Sequence, residues 1–164
     1  MKKNILTAIF SLFFLQLFAQ TDTLPKAVQV KLNEGTTPQD LIKEGYPLDS
    51  LYGKTYQAGI IFYYDSVKHT GMVMSKNDLH YPYDINATKI YWNCVGKITA
   101  ANGTRIGTGK ANSQKIIAAR CKLYEAEEKK WMLGPADLCD LYKAGGYDNW
   151  YLPSKDELNQ IYLH

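Results

Sequence analysis

The sequence predicts a mixed domain of strands and helices, in which a β-hairpin precedes a series of capped helices. An apolar, β-branched and aromatic run covers residues 58–66, and a second apolar run at 71–75 follows a loop that can close a hairpin. The chain finishes on an extended segment, a proline break and a helix start. A chain of 164 residues is long enough for one domain with a sizeable core.

Residues 1–19 have the pattern of a secretory signal peptide of the Sec type. Two lysines precede an apolar run over 5–18, and Ala19-Gln20 supplies a small residue where cleavage is expected. The run is shorter than the roughly 20 residues of a membrane-spanning helix, so we expect no stable membrane span after cleavage. A retained anchor is the alternative. The signal predicts a secreted, cell-surface or periplasmic protein of bacterial type.

Residues 20–51 are predicted to form a leader segment that contains one short helix. Thr37 can cap this helix, Pro38 suits its first position and Gly45 can end it. Residues 21–31 are predicted to be linker, without a helix. The domain proper is predicted over 52–164.

The second half of the chain alternates strand and helix signals. Residues 89–97 are a further strand candidate, and a loop rich in Gly and Asn then leads into an amphipathic helix predicted over 113–131. A second helix is predicted to start at Pro135 and to end at Gly145 or Gly146.

The charge balance argues against a nucleic-acid partner. The whole chain has 19 Lys and Arg against 16 Asp and Glu, and two of the lysines lie in the signal. The mature chain therefore carries a net charge of about +1 and offers no basic surface for a phosphate backbone.

Three cysteines, Cys94, Cys121 and Cys139, leave three disulfide pairings open. An exported protein permits disulfides. We expect Cys121 to pair with Cys139, because both are predicted on helices that flank one loop. A metal site is the alternative, but without a CxxC spacing and with scattered histidines we expect no metal and no cofactor.

The segment from Gly103 to Lys110 invites comparison with a phosphate-binding loop. The spacing does not fit, since Thr104 stands where the first glycine is required and Ala111 where a magnesium-binding Ser or Thr is required. The segment is predicted to be a rigid glycine turn before a helix.

The ligand-binding candidates are aromatic or lie on a polar loop. Tyr and Trp present an apolar face with a polar edge, which suits both buried cores and sugar stacking. Burial in the core is the competing interpretation for each tryptophan. Ser154 and Glu157 have capping-box spacing, so their role is predicted to be structural. The candidates are Trp92, Asp148, Trp150 and Tyr151. No catalytic residue is predicted.

The segments "GIIFYYD", "GMVMS", "IGTGKANSQKI" and "GGYDNWYLPSKDELNQIY" occur in an order that resembles the C-terminal domain of the Legionella collagen-like protein. The resemblance covers residues 52–164. It departs from the family at Ala58, where a second glycine is usual. The family also continues beyond the last helix, so the chain is expected to correspond to the first part of the domain, as a truncated frame or fragment.

The resemblance implies an α+β fold with a topology like that of C-type lectins and formylglycine-generating enzymes, incomplete at its C-terminus. The family is largely of unknown function, and its Legionella member is an adhesin associated with glycosaminoglycan binding. A non-catalytic module that binds an extracellular polysaccharide or another surface protein is therefore expected. The alternatives are a fragment of a formylglycine-generating-type enzyme and a non-functional remnant.

Overall fold

A computed structural model describes residues 24–81, 90–92, 94, 96–121, 123–125 and 130–164. These residues form a mixed α+β structure with a small antiparallel sheet and several helices, as the sequence predicts. The signal peptide predicted at residues 1–19 lies outside the described residues.

The helices and strands follow one another in a simple order. Helices α1 (Leu24–Asn33) and α2 (Pro38–Lys43) and a 3₁₀ turn (Leu48–Leu51) come first, and strands β1 (Thr55–Tyr56), β2 (Gly59–Asp65) and β3 (Thr70–Met74) follow. The second half contains α3 (Gly109–Ala118), β4 (Leu123–Glu125), β5 (Lys130–Met132), α4 (Pro135–Leu141) and α5 (Lys155–Leu163).

The hairpin predicted from residues 58–75 is confirmed. β2 pairs with β3 in antiparallel register, with an irregularity between Ile61 and Tyr63, and β1 adds to the other side of β2. β3 is therefore an edge strand of the described sheet. Its residues line the open cleft described below.

Helix α1 was not predicted from the sequence, which indicated a linker over 21–31. Val28 and Leu32 lie one helical turn apart and are both buried. The Gln29 side chain accepts a hydrogen bond from the Thr55 amide and donates one to the Thr55 carbonyl, which ties α1 to β1. Helix α2 begins as predicted, with Thr37 as its N-cap and Pro38 in its first turn.

The first of two apolar clusters formed by the described residues lies between α1, α2, the 3₁₀ turn and β2. Its buried members are Val28, Leu32, Leu41, Leu51, Ile61 and Tyr64. The predicted leader segment therefore packs in the same core as the hairpin that follows it. The second cluster centres on Tyr81, Met132 and Leu138.

The prediction of a helix over 113–131 is wrong in its second half, since the helix is α3, Gly109–Ala118. It ends at Ala118, and Arg120 has a φ of 48°, a left-handed conformation that no helix continues through. β4 and β5 then pair in antiparallel register. The strand predicted over 89–97 is not found either, since the described residues 90–92, 94, 96 and 97 belong to no strand.

The pairing predicted between Cys121 and Cys139 is wrong. Cys121 bonds to Cys94, whose Cα lies 4.9 Å away, and Cys139 is a free thiol. The prediction placed Cys121 within a long helix. Because α3 has already ended, Cys121 lies in an irregular segment and faces Cys94.

Candidate functional site

An open cleft of about 940 Å³ lies between β3 with the segment after it and the stretch that connects α4 to α5. This cleft is called the aromatic cleft below, since several aromatic side chains line it. Its volume is in the range of small-molecule sites. The rings on its walls are those of Phe62, His80, Tyr142, Tyr147, Trp150 and Tyr151.

Trp150 is held in the wall by two contacts that its own segment provides. Its indole Nε1 donates to the Tyr147 carbonyl at 3.2 Å, and its ring meets that of Tyr142 edge to face, with centroids 5.1 Å apart. The ring is half-buried. The ring is thus pre-oriented, and a ligand would not have to order it.

Tyr151 stands next to Trp150 and lines the same cleft. Its hydroxyl donates to the Met72 sulfur at 3.6 Å. Burial, followed by the nearby Glu157 carboxylate, raises the pKa of Tyr151 to about 12. The hydroxyl is therefore protonated at physiological pH and acts as a neutral hydrogen-bonding group.

The segment that carries both aromatics is anchored to α3. The Leu152 amide donates to Ser113 Oγ at 2.9 Å, and Ser113 Oγ lies 3.3 Å from the Leu152 carbonyl. Pro153 follows, and Ser154 caps α5. The backbone that follows Trp150 and Tyr151 is therefore fixed to α3 and to the start of α5.

The other two predicted candidates lie outside the aromatic cleft. Asp148 is exposed and does not line it, although its neighbour Asn149 does. Trp92 is 54% exposed and borders a separate, very small cavity beside the disulfide. The structure thus brings Trp150 and Tyr151 together and separates Trp92 from them.

Sequence reasoning missed the polar side of the cleft. Lys76, Asn77, Asp78 and His80 lie in the irregular segment after β3 and line the wall next to that strand. The only sequence signal was their position directly after a strand, where binding loops are common.

Cys139 also lines the aromatic cleft. Burial raises the pKa of this thiol to about 11. Little thiolate is present at neutral pH, and the thiolate is the nucleophilic and metal-binding form. A role of Cys139 as a nucleophile or metal ligand is accordingly disfavoured. Among the described residues, no group of three or more His, Cys, Asp or Glu side chains could hold a metal ion.

The glycine loop before α3 binds a carboxylate of the protein itself. Glu157 is fully buried, and its Oε1 accepts from the amides of Gly107 at 2.8 Å and Gly109 at 3.4 Å. Its Oε2 accepts from the Ser154 amide at 2.7 Å, completing the predicted capping box. The backbone amides that would bind a phosphate in a phosphate-binding loop therefore already donate to Glu157. This agrees with the sequence, whose glycine spacing does not match such a loop.

Comparison with known proteins finds no matching family model, no matching curated protein and no matching solved structure. In the described part of the chain, no helix combines the length and the apolar character that crossing a membrane requires.

Proposed function

We propose that this protein is a secreted or cell-surface module that binds a polysaccharide in the aromatic cleft and catalyses no reaction. The observation that carries the proposal is the pairing of Trp150 and Tyr151 on one wall with amide and imidazole groups of Asn77, His80 and Asn149 around them. Aromatic faces with convergent polar groups are what a sugar ring needs, since its C–H face is apolar and its rim carries hydroxyls.

The charge at the cleft favours a neutral or weakly charged ligand. Lys76 and Asp78 are the cleft's charged side chains, one of each sign, among the residues the structure describes. Tyr151 adds no charge, because its pKa is raised to about 12. Affinity would come from stacking on Trp150 and from hydrogen bonds.

We also propose membership of the family of the Legionella collagen-like C-terminal domain, with its C-type-lectin-like topology. The support is a contact between the two most specific motif segments. Glu157 of the "LPSKDEL" segment binds the amides of Gly107 and Gly109 in the "IGTGK" segment. A motif pair that forms one structural unit in three dimensions is expected to occur together in a family.

The test is a glycan array probed with the exported protein and with Trp150→Ala. We expect wild type to bind at least one polysaccharide, and the variant to bind it about tenfold more weakly, since a stacked ring contributes on the order of 1 kcal/mol beyond its area. Trp92→Ala is the matched control, because Trp92 lies outside the aromatic cleft. Equal loss in both variants, or no binding by wild type, would contradict the proposal.

A further inference from the structure

Strand β3 is bordered by open space on both of its faces. The aromatic cleft lies on one face, and a second pocket of about 280 Å³, called the side pocket here, lies on the other face beside the start of α2. The two cavities share three consecutive residues of β3, Gly71, Met72 and Val73. A cavity confined to one face of a strand touches mainly every second side chain. The shared run therefore indicates that the two cavities meet at the outer edge of β3.

Neighbouring side chains of β3 identify the two faces. Val73 packs against the first apolar cluster, which lies towards α1 and α2. Met72 points the other way, and its sulfur accepts a hydrogen bond from Tyr151 in the aromatic cleft. A strand placed beside β3 would have the same alternation, so its side chains would enter the aromatic cleft and the side pocket in turn.

The backbone of Val73 points away from β2. Ile61, its partner in β2, uses its N–H and C=O on the opposite side, where they bond to the Lys54 carbonyl and the Gly53 amide. Residues opposite each other in an antiparallel pair exchange either two hydrogen bonds or none. The Ile61–Val73 pair thus exchanges none, and the Val73 N–H and C=O are directed to the outer edge. Gly71, two residues earlier, has the same orientation.

The outer edge of β3 offers unused backbone donors and acceptors. Among the described residues, no hydrogen bond reaches the backbone of Thr70–Met74 from outside the sheet. Natural proteins often protect such an edge with charged residues or prolines. Residues 70–75 contain neither. An edge of this kind is a template on which another strand can pair.

The edge and the two cavities together select the kind of partner. An extended polypeptide carries N–H and C=O groups at the repeat of β3, and a polysaccharide does not. The cleft side is apolar and aromatic, with Ile60, Phe62 and Tyr151. In the described part of the chain, no Lys, Arg, Asp or Glu lines the side pocket, where Gln39 and Gln57 supply neutral polar groups. We therefore expect a partner strand that alternates apolar or aromatic residues with small neutral polar ones.

A second copy of β3 fits this description less well. Its Met72 and Val73 side chains are already packed within their own molecule. They could not fill the cavities of a neighbouring molecule, and the space on both faces of the strand would stay empty.

We propose that β3 pairs with an extended segment of another protein, about as long as its own five residues, through the outward backbone groups of Gly71 and Val73. The inference goes beyond the proposed function, because its ligand is a polypeptide. Trp150, on which the proposed sugar stacking depends, lies on the opposite wall of the cleft. The protein would thus have separate contacts for a polysaccharide and for a protein partner.

The probe is a library of random heptapeptides displayed on phage and selected against the exported protein. The tightest peptide is synthesised and added to ¹⁵N-labelled protein. We expect its sequence to alternate as described, and its binding to slow hydrogen exchange of the Gly71 and Val73 amides at least about tenfold, since these amides become hydrogen-bonded.

Methylation of the peptide nitrogens tests the backbone pairing on unaltered protein. In an added strand, alternate N–H groups bond to β3 and the others point away from it. We expect a peptide that is N-methylated on one set of alternate residues to bind about tenfold or more weakly. The peptide methylated on the other set should bind as the parent peptide does.

Val73→Pro removes the outward N–H without removing a bond to β2, an orientation in which edge strands tolerate proline. We expect peptide affinity to fall roughly fivefold or more, the value of one hydrogen bond. Val73→Ala is the matched control, because it also loses the valine side chain but keeps the N–H, and it should bind more tightly than Val73→Pro by about that factor. A thermal melt checks that both variants fold, and the methylated peptides decide the question if Val73→Pro does not.

Four outcomes would overturn the proposal. They are a library that yields no binding peptide, equal affinity of both methylated peptides, exchange protection that spares Gly71 and Val73, and a dimer in light scattering that is lost in Val73→Pro. The last outcome would identify a second copy as the occupant. None of these measurements involves a sugar, so the glycan array tests the proposed function separately.

Discussion

At the scale of single residues, Glu157 organises the second half of the molecule. Its carboxylate is fully buried and accepts hydrogen bonds from Ser154 in its own helix cap and from Gly107 and Gly109, 50 and 48 residues away. Charge-assisted bonds of this kind are about twice as strong as neutral ones. A capping box ordinarily joins residues within one helix start, but here its Glu157 also binds the glycine loop before α3.

The two glycines of this loop should respond very differently to replacement by alanine. A Cβ on Gly109 would overlap Glu157 and lie 2.8 Å from the Ser154 nitrogen and 2.9 Å from the Leu152 carbonyl oxygen. Backbone atoms cannot move aside cheaply, so we expect Gly109→Ala to lower the free energy of unfolding by about 3 kcal/mol or more.

Gly107→Ala is the matched control for this prediction. Gly107 has a φ of 87°, but nothing lies within 4 Å of a Cβ there. We expect only the conformational cost of about 1–2 kcal/mol. Urea denaturation of both variants measures the difference. Similar losses would show that the close approach of Glu157 does not govern this loop.

At the scale of secondary-structure elements, the β1–β2 turn contains a local strain. Tyr56 pairs with Gly59, which leaves a two-residue turn. Both turn residues have positive φ, 47° at Gln57 and 65° at Ala58. Such turns favour Asn-Gly, because side chains beyond glycine fit this conformation poorly. Ala58 thus occupies the turn position where glycine fits best.

Ala58→Gly should therefore stabilise the protein. We expect the free energy of unfolding to rise by about 1 kcal/mol, because the left-handed strain at this position is removed. Ala27→Gly is the control, since Ala27 is exposed within α1 and the change should lower stability by about 0.5–1 kcal/mol. Urea denaturation checks both. A loss of stability in Ala58→Gly would refute the strain argument.

The elements also show where pattern reasoning succeeds. The β2–β3 hairpin and the starts of α2, α4 and α5 were predictable, since periodicity, Pro and capping residues act over a few neighbouring positions. The end of α3 was not. Its amphipathic pattern continues past Ala118, but the helix ends there, and Arg120 then adopts a left-handed conformation before the disulfide at Cys121.

At the scale of the whole molecule, the Cys94–Cys121 disulfide links the chain before the glycine loop to the end of α3. The two residues are 27 positions apart. The bond encloses the segment that Glu157 binds. The loop beside α5 is therefore restrained covalently at its ends and by hydrogen bonds in its middle.

Reduction of this disulfide should lower the thermal midpoint by about 10 °C. A loop of 27 residues corresponds to about 3.5 kcal/mol of chain entropy in the unfolded state. Thermal melts with and without dithiothreitol measure the shift, and the double variant Cys94→Ser, Cys121→Ser should reproduce it. Cys139→Ser is the control. If this variant lowers the midpoint as much as the double variant does, the assigned pairing is wrong.

The sequence by itself determined the β2–β3 hairpin, the starts of α2, α4 and α5, and the corner formed by Pro153, Ser154 and Glu157. It also identified Trp150 and Tyr151 as candidates. Each of these features depends on a residue and its near neighbours, whose steric and hydrogen-bonding preferences persist in any fold.

Only the tertiary structure decided which distant groups meet. It buried α1, joined Cys94 to Cys121, placed Trp92 away from Trp150, and brought the segment after β3 to face the aromatic rings. It also placed the Glu157 carboxylate, which caps α5, where it accepts a hydrogen bond from Gly107, 50 residues earlier in the chain. Contacts of this kind depend on how whole faces pack against one another, and no short stretch of sequence encodes that packing.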